Sequence, residues 1–542
     1  MGSHDDAPRA PDTPAPAVDS NCSLPRAANA AAHPSHAAAR TGLSRRAFMR
    51  ATAGSGAGLL VGAAPLLAWI GACRDASSRM MGPPAEPLGP SATGDLVPIG
   101  RASRTPLPTS LRTAPGTVDL GPLGRWSTWL YDGVYPGPEL RLREGDAFRL
   151  TLTNALAEGT SIHWHGVPVP NAMDGVAGLT QPAVSPGGTF DYGWAARPPG
   201  TYLYHSHVGL QGDRGLVGAL VIEETTPHVA YDRDVVVLVD DWLAGPPTMP
   251  TGGGMGGGMG GGMMGGGMGT MRTMGGMPRY GAHLVNGRPA SVPALLEVAR
   301  GERVRLRLIN AGGATTFRAA LAGHRLTVTH TDGRAVRPVT VDAVVLGPGE
   351  RYDVVVAMTN VGAWNLAFDG LEDGLTPGRL VVRYRESTAA TPPATALPAG
   401  LTGGRVLTLS DLVDAEGWPT PGTPARSFAL DLAGGMMGGG TSWTMGGQAY
   451  PNADPLLVPR GAWARVAMVN RTMVRHPMHL HGHFFRVGTA IKDTVLVPPG
   501  GMMGSGGRIT FDFLADNPGP WLFHCHNVYH MEAGMARVVR VG

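Results

Sequence analysis

Short runs of alternating apolar and polar residues recur along the chain, and two of them appear three times in the same order. Gly145 to Asn154 (GDAFRLTLTN), Gly301 to Asn310 (GERVRLRLIN) and Gly461 to Asn470 (GAWARVAMVN) share one length and one period-two pattern behind a leading glycine. Period two sends successive side chains to opposite faces, so each run predicts a strand entered from a turn. The second block is PGTYLYHSH from Pro199, VGAWNLAFD from Val361 and PGPWLFHCH from Pro518, each a Gly-led turn running into a strand with aromatics. Two anchors in one order define three units, near 96–226, 228–386 and 403–542, with 387–402 as a linker. Glycine and proline at the turns, and almost no long stretch of helical period, predict an all-β chain built of β-sandwiches. The Gly/Met run from Met249 to Met277 and a shorter one around Gly434 to Gly447 fall outside this scheme and are assigned to loops.

Composition narrows the class. A length of 542 residues accommodates about three ordinary domains. The formal net charge of +3 is small for that length, and no basic stretch is interleaved with aromatics, which argues against a nucleic-acid partner. Lys492 is the only lysine and by itself says nothing about function. Three cysteines, Cys22, Cys73 and Cys525, are too few for a disulfide framework. Ser44-Arg45-Arg46-Ala47-Phe48-Met49, followed by an apolar Gly/Ala-rich stretch to Ala72, resembles a twin-arginine export signal. A stop-transfer helix is disfavoured by the many glycines and alanines. Ile70-Gly71-Ala72-Cys73 resembles a lipobox, which makes Cys73 a candidate lipid anchor and 74–95 a Pro-rich linker behind the leader 1–73. The expected location is periplasmic or at the cell surface.

The chemistry is carried by histidine. Four clusters stand out: His163-Trp164-His165, His205-Ser206-His207, His476-Pro477-Met478-His479-Leu480-His481-Gly482-His483, and His524-Cys525-His526 continuing to His530 and Met535. In a strand, residues i and i+2 share a face, so each His-x-His pair presents two imidazoles to one side, as a metal requires. Parity then separates two environments. Cys525 points away from His524 and His526, and His476 is odd relative to His479 and His481, so Cys525 and His476 share the other side. With His530 and Met535 they form two imidazoles, a thiolate and a thioether, the ligand set of a blue electron-transfer copper. The other eight imidazoles form a second, all-histidine site. Zinc would accept thiolate and imidazole, but a structural zinc site needs neither the methionine nor eight more histidines. His483 keeps the parity of the cluster but finds every place filled, and reads as structural.

These four clusters resemble, in order and spacing, the copper signatures of the three-domain multicopper oxidases, over residues from about 96 to the C-terminus. The resemblance implies three cupredoxin-like Greek-key β-sandwiches and four copper ions. It places the type 1 copper on His476, Cys525 and His530 with Met535 axial, and the type 2 copper on His163 and His479. The type 3 pair would take His165, His205 and His526 for one ion, and His207, His481 and His524 for the other. Ser206 stands where Cys525 stands, and Ala367-Phe368-Asp369 retains no ligand, so only the last unit carries a type 1 site and the middle one reads as a copper-free spacer. Reducing O2 to water consumes four protons, which calls for a carboxylate near the cluster. Asp174, in NAMDG, stands at the family position for that role, although Asp-Gly is also an ordinary turn. The second family carboxylate has no counterpart, since Met531 follows His530 and Glu532 comes one position late; Glu532 is the substitute.

The implied reaction is one-electron oxidation of a reductant coupled to four-electron reduction of O2. Nine methionines in the twenty-nine residues 249–277, with Met436-Met437 and Met502-Met503, offer soft thioethers that suit Cu(I). The ending HCHNVYHMEAGM resembles the copper-resistance, cuprous-oxidase branch, whereas residues 471–475 contain Met473 but no carboxylate. Low-complexity drift would also produce such runs. A laccase-like oxidase of phenols and aromatic amines uses the same copper core, and a periplasmic copper-sequestering protein is the alternative from another class. Oligomeric state is not legible.

Overall fold

The computed structural model describes residues 97–98, 107–249, 278–434, 442–500 and 507–542. The leader with Cys73, the linker 74–95, Met255 to Met277, Met436-Met437 and Met502-Met503 lie outside the described residues. All three repeats of the first block are strands, Ala147–Asn154, Arg303–Asn310 and Trp463–Asn470, and so are those of the second, Gly200–His205, Ala363–Gly370 and Gly519–Cys525. They belong to six sheets of four to seven strands, two for each segment of the chain, and Val528–Glu532 is the one α-helix among the described residues. The fold is all-β.

The asparagine that closes each copy of the first block has a structural reason. Asn154, Asn310 and Asn470 are fully buried. Each donates twice from its amide: Asn154 to the carbonyls of Glu158 and Val184, Asn310 to those of Thr315 and Leu346, and Asn470 to those of Val474 and Pro498. Each also accepts the backbone N–H two residues on, at 2.8–2.9 Å. A buried amide satisfied on both ends fixes the turn that follows. That turn leads to His163–His165, Phe317–Leu321 or His476–Leu480, so the same corner aims the first histidine strand in two of the three segments.

The middle and last segments share one continuous apolar core, from Val235 through Phe368 and Trp443 to Val541, while the first has its own around Trp164, Phe148 and Tyr192. The stretch 387–402 is pinned down, with Arg379 donating to the Pro392 carbonyl at 2.6 Å and Asn365 to those of Pro393 and Ala396 at 3.0 Å.

Candidate metal centre

Two antiparallel strand pairs supply the histidines. His163–His165 pairs with Gly200–His205, putting His163 opposite His205, and His476–Leu480 pairs with Gly519–Cys525, putting His479 opposite His524. The two pairs interleave their imidazoles. His163 stacks on His481 at 3.8 Å and His165 on His479 at 3.7 Å, while His526 meets His165 edge-on at 4.7 Å and His207 meets His524 at 5.2 Å. Three all-histidine triads hold ligand atoms within 4.8 Å of one another: His163/His479/His481, His163/His165/His205 and His207/His481/His524. All eight rings are buried.

The ring nitrogens fit a metal. Nε2 of His163, His205, His207 and His479, Nδ1 of His165, and both nitrogens of His526 are buried without a hydrogen-bond partner. An unpaired buried polar atom costs about 1–3 kcal/mol, a penalty that coordination removes. His481 Nε2 and His524 Nε2 face each other at 3.0 Å, the arrangement of two lone pairs on one cation. The opposite nitrogens are held outward: His163 Nδ1 donates to the Asp174 carbonyl at 2.8 Å, His479 Nδ1 to the Asp493 carbonyl at 2.9 Å, and His481 Nδ1 to Asp174 Oδ2 at 3.0 Å. Such bonds fix the tautomer that leaves the other nitrogen free. Burial first, and neighbouring imidazoles second, keep five of the rings neutral, with His205 lowered to about 3 and His207, His481, His524 and His526 well below the usual range.

The second group lies on the other face of the same strands. Cys525 Sγ is 3.6 Å from Nδ1 of both His476 and His530, and those two nitrogens are 3.2 Å apart. Met535 is fully buried, and its carbonyl accepts the Cys525 N–H at 3.0 Å. Burial pushes the Cys525 thiol up, so a thiolate here requires a cation. Thr472 Oγ1 holds His476 Nε2 at 2.8 Å, and Trp443 lies on His530 at 3.8 Å with 30° between the rings. Main-chain bonds alone join Cys525 to His524 and His526.

The carboxylates separate. Asp174 is fully buried, touches two cluster histidines, and has one oxygen, Oδ1, without a hydrogen-bond partner, 3.3 Å from His163 Nδ1. Glu532 is exposed at the end of the helix, and none of its oxygens bonds to a cluster residue. Met531 instead lines a narrow cavity reaching His205, His207, His524 and His526. His483 donates Nδ1–H to the His481 carbonyl at 3.1 Å and packs between Phe513 and Trp521, outside the three triads.

Sequence reasoning missed Asp493. It is fully buried, accepts both arms of Arg351 at 2.8 and 2.6 Å, and has Oδ1 3.3 Å from His165 Nε2 and 3.5 Å from His479 Nδ1. Thr494 Oγ1 bridges, donating to Asp493 at 2.8 Å and lying 3.0 Å from His165 Nε2. The lone lysine adjoins it: Lys492 is buried between Asp332 (3.0 Å) and Glu350 (3.2 Å). Arg351 and Gly349 come from the middle segment, and a Cβ on Gly349 would lie 2.8 Å from the His165 ring and 3.0 Å from that of His526. That segment is a wall of the cluster as well as a spacer. A charged pair inside an apolar strand pattern was the available signal.

A Cys/His₂ site with a buried methionine beside eight convergent imidazoles, on paired β-sheets, defines a copper oxidoreductase. Comparison with known proteins agrees. Three family descriptions, each "Multicopper oxidase", match residues 116–227, 234–387 and 423–542. The chain is 36% identical to multicopper oxidase MmcO of Mycobacterium tuberculosis over 79% of its length and 85% of the relative's. It is 29% identical to copper resistance protein A of Escherichia coli, covering 76% and 88%. A multicopper oxidase crystal structure from Pseudomonas thermotolerans superposes with a TM-score of 0.62 at 26% identity, over 80% and 98% of the two chains. The chain belongs to the multicopper oxidase family. It is therefore a copper-dependent oxidoreductase with O2 as acceptor and a reducing co-substrate, carrying one type 1, one type 2 and two type 3 coppers.

Proposed function

We propose that the chain oxidises Cu(I) to Cu(II), for copper tolerance, and passes the electrons to O2. In this reading His476, Cys525, His530 and Met535 hold the type 1 copper and His163 and His479 the type 2 copper. His165, His205 and His526 hold one type 3 ion, and His207, His481 and His524 the other. Bound copper supplies the one-electron couple and the site of O2 reduction. The chain insulates that chemistry by burial, carries electrons through the Cys525 backbone and relays to the cluster the protons that O2 reduction consumes at Asp174, with Glu532 as an outer carboxylate.

The observation that carries the substrate reading is the cover over the type 1 side: His476 is 0% and His530 1% exposed, while Met473, three residues before His476, is 54% exposed. Residues 471–475 contain no carboxylate, but Glu372 from the middle segment pairs with Arg475. An exposed soft thioether three residues from a buried histidine of this site suits a cuprous ion better than a phenol. The name of the relative, copper resistance protein A, points the same way. Export by the twin-arginine route to the periplasm or cell surface, with Cys73 lipidated, belongs to the same proposal. No helix among the described residues is long and apolar enough to cross a membrane.

The test is oxygen consumption by anaerobically copper-loaded protein, with Cu(I) and a small phenol side by side, in the parent and in a variant lacking 250–277. Cu(I) turnover that falls at low substrate in the deletion, with the blue band intact, supports the reading. Phenol turnover lost while Cu(I) turnover persists would make the protein a laccase, and copper binding without oxygen uptake would make it a sequestering protein.

A further inference from the structure

The narrow cavity that reaches the histidine cluster has walls from two distant parts of the chain. At its inner end stand the buried His205, His207, His524 and His526. Toward solvent it is lined by Gly209 and Gly212, from the turn after His207, and by Val528 and Met531, from the helix after His526. Gly209 is exposed and the other three are half-buried. Neither wall belongs to a sheet, so the width between them depends on what ties the turn to the helix.

Each wall is firm by itself. In the turn, Gln211 Oε1 accepts from Thr160 and Ser206, both at 2.7 Å, and its amide donates to Glu158 at 2.9 Å and to the Gly159 carbonyl at 2.8 Å. In the helix, Asn527 Oδ1 caps the first turn by accepting the N–H groups of Tyr529 and His530 at 3.1 and 3.3 Å. Asp213 latches one wall to the other. It adjoins Gly212, is 9% exposed, and accepts the Tyr529 hydroxyl on one oxygen and that of Tyr280, at 3.1 Å, on the other. Leu210, from the turn, and Val528 and Tyr529, from the helix, pack with Tyr280 and Ala314 in one apolar cluster.

The middle segment backs this latch. Asn310 Oδ1 accepts the Gly312 N–H at 2.9 Å, and the buried Asp241 accepts those of Gly313, Ala314 and Thr315 at 2.8, 3.1 and 2.7 Å. The Gly313 carbonyl, held in this way, accepts the Val528 N–H at 3.0 Å. Glycine is needed at 313 for room: a Cβ there would fall on the Asp213 carboxylate and lie 2.9 Å from the Tyr280 oxygen. The corner that leads to a histidine strand in the first and last segments here grips the wall of the cavity.

We infer that the latch of Asp213 on Tyr529, backed by Gly313, sets the width of this cavity and with it the rate at which O2 reaches the type 3 histidines. Asp213 and Tyr529 are positioning residues, acting through the walls they hold. The role is the same for either reductant, since electrons enter on the Cys525 side, and it takes His205, His207, His524 and His526 as type 3 ligands.

Two substitutions loosen the walls: Tyr529→Phe removes the hydroxyl and keeps the ring, and Gly313→Ala wedges Asp213 away. Others fill the gap. A Cβ at Gly212 meets nothing closer than the Ser206 carbonyl at 3.6 Å and His205 Nδ1 at 3.9 Å, so Gly212→Ala and Gly212→Val add bulk to the wall in two steps. In copper-free protein, carbethoxylation of His207 and His526 is followed by site-resolved peptide mass analysis, with exposed His228 as internal reference. Buried groups react through local opening, and loss of one buried hydrogen bond makes opening about tenfold more frequent. Both histidines should therefore react about tenfold faster in Tyr529→Phe and Gly313→Ala, and more slowly than in the parent in Gly212→Val. In copper-loaded protein, O2 uptake is measured against O2 concentration, with whichever of Cu(I) and phenol the parent oxidises held at saturation. In the loosened variants kcat/KM for O2 should rise about threefold, and in Gly212→Val fall about fivefold, with kcat within about twofold and the blue band retained. A general loss of structure would move every variant the same way. If Gly313→Ala does not fold, Tyr529→Phe carries the comparison. Unchanged labelling of His207 and His526 in Tyr529→Phe overturns the inference, and so does a kcat/KM for O2 that fails to move in opposite directions in Tyr529→Phe and Gly212→Val.

Discussion

Replacing Asp493 with Asn isolates what a single buried carboxylate does for the all-histidine site. The substitution keeps shape and volume but removes the charge that faces Arg351 through bonds of 2.8 and 2.6 Å, both side chains being at most 1% exposed. Arg351 keeps one other carboxylate, Asp332 at 3.6 Å, which does not replace a two-armed contact. Breaking a buried pair on one side costs about 3–5 kcal/mol. The metal site changes separately. His479 remains oriented, because its Nδ1 bonds to the Asp493 main-chain oxygen at 2.9 Å, which the substitution leaves untouched. His165 loses the negative charge behind Thr494, and loss of such an outer partner weakens metal affinity by about 10–100-fold. Each factor of ten is about 1.4 kcal/mol. The assay is copper per chain after dialysis against a graded chelator, read with the blue absorption and a urea midpoint. The expected variant is destabilised and loses cluster copper first, while the blue band survives. An Asn variant that matches the parent in both midpoint and copper retention would refute the argument.

Other substitutions probe different parts of the site. Cys525→Ser should abolish the blue absorption and turnover, since an alcohol does not replace the soft sulfur; a variant that stays blue would remove Cys525 from the ligand set. Gly349→Ala forces a Cβ against His165 and His526 at φ +82°, and should lower copper at the cluster without touching the blue band, as measured by metal analysis and absorption. Burial alone would raise Asp353, but Arg305 and Arg307 hold it below the usual carboxylate range. Its stabilisation is thus present above its unfolded value of about 3.9 and fades as pH falls below it. Asp353→Asn should cost about 3–5 kcal/mol near neutrality, and less than that below pH about 4, in urea titrations at each pH.

What the sequence disclosed followed from short-range periodicity. Period two is a local property of the backbone, so the histidine strands and the opposite facing of Cys525 could be read directly. The closing asparagines were visible as a repeat, but their corner depends on carbonyls up to 36 residues away, as at Leu346, and no local pattern encodes that. Asp493 and Arg351 are 142 positions apart and were hidden for the same reason. Trp443 lies on the His530 ring through a contact between distant parts of the last segment, which no local pattern encodes either. Each omission was a long-range polar or stacking contact; each success was a spacing.

The interleaving of His163 with His481, and of Asp174 with His481, joins positions about three hundred residues apart in one small volume, 307 in the second case. Closing a loop of that length costs a flexible chain on the order of 5 kcal/mol in entropy. An ion held by histidines of both strand pairs would therefore act as a cross-link, holding the first and last parts of the chain together as a disulfide would. In that sense the reaction centre is also a fastener: only a chain whose ends have already met can fill it, and once filled it resists their parting.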